Sequence, residues 1–170
     1  MNQAQFERLS WTLVSAIPRV RNEETLLQVA CTLLDAEVGV LISRTSGSKG
    51  VKIRHVHPAD FPPLDEEELD ALREWYNSMP PEYGIPGYTK EGEIRVGTLE
   101  FSDALVAFGS RPPDGGAPMH EVVLLRKKDT VERTERFLSY DCWVTAQLIR
   151  QFELFDTQQN LAEETRKKGQ

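Results

Sequence analysis

From Asp129 to Lys168 the chain carries neither proline nor glycine. Asp129 with Glu132 three residues on forms a capping box. A helix running from there would span roughly 60 Å at 1.5 Å per residue, far beyond the three or four turns of an ordinary helix. Its apolar residues tighten the constraint. Leu138, Cys142, Thr145, Ile149 and Phe152 follow a 4-3-4-3 spacing close to a heptad seam. Phe137, Val144, Leu148 and Phe155 form a neighbouring stripe, and Tyr140 and Trp143 add bulk. Removing Leu148, Ile149, Phe152 and Phe155 from water contributes on the order of 6–12 kcal/mol as an upper value. One stripe can cover a sheet; the second needs another partner. The expectation is a homodimer whose interface uses Phe6, Leu9, Leu13 and Ile17 of the first helix with Leu138, Cys142, Thr145, Ile149 and Phe152 of the last. The competing reading is that the chain's own helices and sheet cover both stripes.

Beyond Phe155 the segment is polar, with Leu161 and Ala162 as its apolar residues. It reads as a projecting helix, so the expected organisation is a domain over 1–155 and a linker over 156–170. Met1 reads as a natural start, and the polar end as leading toward an output module beyond Gln170.

The rest of the chain alternates period. Asn2 to Val20 is amphipathic at helical spacing, with Asn2 and Gln5 placed as a capping box and Pro18 near the end. Asn22 is a good N-cap for a second helix, with Glu23 and Glu24 in its positive first turn. Residues Val38 to Arg44 and Val51 to Val56 read as a hairpin across Ser46–Gly50, stopped by Pro58, Pro62 and Pro63. Asp65 to Glu68 is a capping signature for a third helix carrying Leu69, Leu72 and Trp75. The Pro-, Gly- and Tyr-rich stretch Asn77 to Gly92 reads as an ordered loop. Three strands are expected next, Ile94–Phe101, Asp103–Phe108 and Glu121–Arg126, in a mostly antiparallel sheet.

Composition narrows function. The net charge of -7 over 170 residues, without a basic stripe, disfavours nucleic acid. No apolar run reaches the roughly 20 residues of a membrane helix. Cys31 and Cys142 form no disulfide framework or CxxC pair, which suits two buried thiols in a cytoplasmic protein.

The order helix, helix, hairpin, helix, irregular loop, three strands, long helix resembles a GAF domain. The residues that carry the resemblance run from Phe6 to Ile17, from Glu24 to Leu34 and from Ala36 to Ile42. Ala104 to Phe108 with Gly116 and Glu121 to Leu125 match the strands around the last turn, and Val131 to Ile149 the closing helix. The resemblance implies an α+β fold: an antiparallel sheet of five or six strands, profilin-like and PAS-related, with the N- and C-terminal helices on one face. It also implies dimerisation through that face and a small-molecule pocket on the other. The role it implies is regulatory, ahead of a histidine kinase, diguanylate cyclase or transcription-activator module, without catalysis or cofactor. The Asn-Lys…Phe…Asp-Glu motif of cyclic-nucleotide relatives, the middle-loop cysteine of bilin-binding relatives and the cysteine set of methionine sulfoxide reductase relatives are all missing.

The candidate pocket residues are Phe61, Trp75, Tyr76, Tyr83, Tyr88, Phe101 and Phe108, aromatic walls of the sort small-molecule sites use. The alternative is that these rings simply fill the space, leaving a ligand-free dimerisation module. His55 and His57 lie two apart on a strand, with Asp60 and His120 as further ligand types, but exposure at a strand edge is the commoner role. The carboxylates Glu66, Glu67, Glu68 and Asp70 are accounted for by the helix start they occupy. No Ser/His/Asp order, P-loop or GxGxxG is present.

Overall fold

A computed structural model describes residues 3–44, 51–59, 65–78, 87–96, 99–111, 118–127, 137 and 139–169. The chain opens with α1 (Gln3–Ala16), and Pro18 sits in the short 3-10 turn Ile17–Arg19 that ends it. The cap proposed at Asn2 lies outside the described residues. Helix α2 (Glu23–Leu34) starts where the sequence placed it. Asn22 Oδ1 accepts from the Thr25 N–H at 2.9 Å, and Thr25 Oγ1 accepts from the Asn22 N–H at 3.0 Å, so each satisfies an orphan donor of the other. The helix stops at Asp35 with φ 55, the left-handed conformation that Asp tolerates better than most residues.

Strands β1 (Val38–Arg44) and β2 (Val51–His57) pair antiparallel. Helix α3 (Glu66–Ser78) is capped by Asp65, whose carboxylate accepts from the Glu68 N–H at 2.8 Å. Strands β3 (Gly87–Val96), β4 (Leu99–Phe108) and β5 (His120–Lys127) complete a five-stranded antiparallel sheet in the order β2-β1-β5-β4-β3.

Three strand boundaries differ from the sequence reading. The strand expected over Ile94–Phe101 is divided: Ile94–Val96 end β3 and Leu99–Phe101 open β4, paired antiparallel with each other. The expected loop over Asn77 to Gly92 ends earlier, because Gly87 to Gly92 already belong to β3. This stretch looks like loop because β3 is an edge strand whose Thr89 to Glu93 side chains face water. The interruption expected at Ser102 is a bulge inside β4: the β4–β5 register shifts between Phe101 and Asp103. A bulge changes side-chain parity, so Phe101 joins the same face as Ala104 and Val106. A second shift, between Glu91 and Ile94 of β3, accommodates Gly92 at φ 103, a conformation glycine adopts freely.

Helix α4 (Ser139–Lys168) has 30 residues, so it measures about 45 Å. Phe137 stands outside it, so a single helix from Asp129 does not form; the capping box at Asp129 and Glu132 lies outside the described residues. The reason is tertiary. The Phe137 ring lies under the Arg126 guanidinium, 3.8 Å from Cζ to the ring centroid, and that docking overrides helix propensity.

The core has two layers. On one face Leu41, Leu105, Ala107, Val122 and Leu124 of the sheet meet Leu13, Leu26, Leu27, Ala30 and Leu34, together with Val144, Leu148, Ile149 and Phe152 of α4. On the other face Val40, Ile42, Ile94, Phe101, Val106 and Val123 meet Leu72 of α3. Helix α4 touches β3, β4 and β5 on one side and α2 and the 3-10 turn on another. Cys142, Thr145, Ile149 and Phe152 of one stripe and Val144 and Leu148 of the other are therefore covered within one chain, while Phe155 is half-buried. Cys142 (2% exposed), Thr145 (0%), Ile149 (0%) and Phe152 (3%) are interior residues, as is Leu13 (5%). This corrects the expectation that they face a partner subunit: α2 and the 3-10 turn supply the second partner that the stripe count demanded. Ile17 is partly buried against the same core. The Phe6 and Leu9 side chains, and Leu138, lie outside the described residues.

Candidate functional site

The expected aromatic site is built on the sheet face that carries α3. Trp75 comes from α3, Tyr88 from β3, and Phe101 and Phe108 from β4. The β3–β4 register brings two of them together: Tyr88 pairs with Val106 and Gly87 with Ala107, one step from Phe108, whereas Phe101 pairs with Ile94 toward the other end of both strands. The Tyr88 and Phe108 rings tilt against each other, centroids 5.8 Å apart at 55°. Trp75, Tyr88 and Phe108 are half-buried around the core of this face. Phe101 is 1% exposed and fills that core instead of lining its rim. Phe61 and Tyr83 lie outside the described residues, as does the Tyr76 side chain. The structure thus brings four of the seven rings to one face.

The helical face carries polar chemistry that the sequence reading missed. At the α4 start, Arg126 pairs with Asp103 (Nη1 to Oδ2, 3.5 Å), donates to the Leu34 carbonyl and stacks on Phe137. One guanidinium thus joins β5, β4, the end of α2 and the approach to α4, a planar multi-donor role that lysine could not fill. At the opposite end of the sheet, Glu153 of α4 binds His120 of β5 (Oε2 to Nδ1, 2.9 Å) and accepts from the Ser110 N–H (Oε1, 2.8 Å). The His120 ring also meets Phe152 edge-on, centroids 5.4 Å apart at 88°. No sequence spacing links Glu153 to residues 33 and 43 positions away; only the α4-to-sheet register does.

Beside this contact a cleft of about 330 Å3 opens between the start of α2, β2 and α4, lined by Arg21, Asn22, Glu24, His55, Phe152 and Asp156. Glu23, also on its wall, is held by Arg54. His55 pairs with Leu41 and His57 with Gly39, placing both on the helical face; His120, opposite Ser43, shares it. Asp60 lies outside the described residues, and among those described no group of three His, Cys, Asp or Glu is placed to hold a metal ion. Both thiols are buried. Burial, with Glu37 adding to it, pushes Cys31 up to about 12, and burial with Asp141 does the same for Cys142. Neither is a nucleophile in the folded chain.

A strand order of β2-β1-β5-β4-β3, two opening helices and a closing helix on one face, and α3 on the other can be set beside known structures. The chain superimposes on the crystal structure of the GAF domain of a protein assigned as a sensor histidine kinase from Pseudomonas syringae pv. tomato, with a TM-score of 0.55 over 95% of this chain and 97% of that one, at 16% sequence identity. The fold is a GAF fold. No family model matches the sequence, and no curated protein does. The GAF architecture here is therefore carried by hydrophobic pattern and topology. Among the described residues of this GAF-like chain, no helix is long and apolar enough to cross a membrane.

Proposed function

We propose that this GAF domain is a regulatory, sensory module of a signalling protein and has no catalytic role. The observation that carries the reading is the fate of α4. It is clamped to the sheet as far as Glu153, then continues as helix through Lys168 with residues 157–169 exposed. A rigid rod leaving a ligand-binding class of fold is a means of passing on a change in position. The output in this reading is a histidine kinase, diguanylate cyclase or transcription-activator module, and of these the structural relative, from a protein assigned as a sensor histidine kinase, favours the first.

The ligand in this reading is a small molecule with flat, apolar surface, held on the α3 face by the half-buried rings Tyr88 and Phe108, with Trp75 on the same face. Thermal shift against a metabolite and nucleotide library tests it: a hit is expected that Tyr88→Ala and Phe108→Ala abolish, and no hit across the library rejects ligand sensing. The burial of Phe101 favours a second reading, a ligand-free dimerisation module.

In both readings the working unit is a homodimer in the cytoplasm, and its interface is the outer surface of the helical layer. Trp143 (40% exposed), Leu154 (59%) and Leu161 (58%) lie along one line of α4, within about 20° of each other at 3.6 residues per turn. Trp11 (74%) and Val14 (61%) form an exposed pair on α1. Large apolar side chains repeated along one helix line suit a partner surface. Sedimentation of Trp143→Glu with Leu154→Glu should give a folded monomer where the parent chain dimerises; an unchanged dimer rejects this interface.

A further inference from the structure

One polar contact set serves neither the core nor the aromatic site. Glu153 stands one turn beyond Ile149 on the same inward line of α4, yet Ile149 is fully buried among apolar side chains while position 153 holds a carboxylate with 17% side-chain exposure. Its two oxygens are divided. Oε1 takes the Ser110 N–H, just past the end of β4, and Oε2 takes His120 Nδ1, the first residue of β5. Gly109 N–H donates to the His120 carbonyl at 2.9 Å, tying the same two chain segments together below. The fit is close: a Cβ on Gly109 would lie 2.5 Å from Glu153 Oε1 and 2.8 Å from Ile149 Cγ2. A largely buried carboxylate contributes little net stability against an apolar alternative, so packing alone does not account for one here.

We infer that Glu153 is a coupling latch, which ties the β4–β5 connection to the point where α4 leaves the domain. The carboxylate holds both ends of that connection at once. It sits three residues before Asp156, after which the α4 side chains are exposed. Displacing either end breaks a charge-assisted hydrogen bond or carries the helix with it. Phe152, edge-on to His120 and on the wall of the cleft beside α2, gives the same movement a second route into the helix. The signalling meaning of the latch rests on α4 being the output element; the mechanical coupling does not.

Hydrogen exchange on the whole chain tests the coupling directly. His120→Phe keeps an aromatic ring against Phe152 and removes the partner of Oε2. Gly109→Ala pushes the connection off the carboxylate from the other side. Losing a hydrogen bond to a charged group corresponds to about tenfold or more in local opening. The expected result is a rise of at least that size in exchange over 153–160 for each variant, with amides of 142–149 unchanged in His120→Phe. Unchanged exchange over 153–160 in His120→Phe overturns the latch, and so does an equal rise over 142–149, which would mark general loosening. Should Gly109→Ala fail to fold, His120→Phe decides alone. A coupled helix in a chain that stays monomeric and binds nothing would keep the latch and remove the relay reading.

Discussion

Ile149 offers a sharp test of where the long helix spends its apolar surface. Its side chain is fully buried, and Leu148 and Phe152 pack in the same cluster with Leu26, Leu27 and Leu105. Truncating a buried Ile to Ala costs about 2–5 kcal/mol, from lost transfer energy plus the cavity left behind. A fall of ~3 kcal/mol is the expectation for Ile149→Ala, because a site enclosed by sheet and helix has little freedom to collapse. Total stability for a domain of this size is about 5–15 kcal/mol. With a urea slope of ~2 kcal/mol per molar, the midpoint should fall by about 1.5 M with the slope unchanged. The measurement is equilibrium urea unfolding followed by far-UV circular dichroism, at several protein concentrations, beside sedimentation of the native variant. A folded Ile149→Ala chain should keep its parent's oligomeric state. If stability at high dilution drops by less than about 0.5 kcal/mol while the subunit assembly falls apart, Ile149 faces another chain and the packing argument is wrong.

Arg126→Ala should cost about 3–5 kcal/mol, since it leaves the buried Asp103 carboxylate without its cation. Arg126→Lys should recover part of that loss, and thermal melts of the two variants check the order. Asn22→Ala removes the α2 cap and should cost about 1 kcal/mol, read in the same unfolding assay. Cys31 and Cys142 should resist thiol reagents at pH 8 and react at the rate of unfolding, because burial raises each from 9.0 to about 12. The sign for stability follows. An unfolded thiol ionises near pH 9 while the folded one stays protonated, so the unfolded state binds fewer protons and stability falls as pH rises from about 9 toward 12. A Cys31→Ala, Cys142→Ala variant should lose that part of the alkaline decline.

What could be read from the sequence was whatever local chemistry decides. Asn22 and Asp65 announce their helices because capping is settled within four residues. The GAF fold itself was legible because the order and period of elements survive at 16% identity. What was not legible depends on distant partners. The polar run Thr89 to Glu93 reads as loop until β4 is beside it. Ser102 reads as a break until β5 shows it to be a bulge. The heptad-like line through Cys142, Thr145, Ile149 and Phe152 was real, but spacing does not say whether an apolar line meets another subunit or the chain's own α2. Of the aromatic set, Trp75, Tyr88, Phe101 and Phe108 share one face, and Tyr88 meets Phe108 because the β3–β4 register aligns them. Glu153, Ser110 and His120 carry no motif, and their meeting was invisible before the helix was laid on the sheet.

The form of β3 decides how such molecules can come together. Its outward row of Lys90, Glu91, Glu93 and Arg95 and the kink at Gly92 make this margin a poor template for a further strand. Neighbouring molecules cannot readily zip sheet to sheet along it. Crowding at high expression should therefore leave this flank quiet, and fibril-like stacking would have to begin at the other margin, β2, or after unfolding.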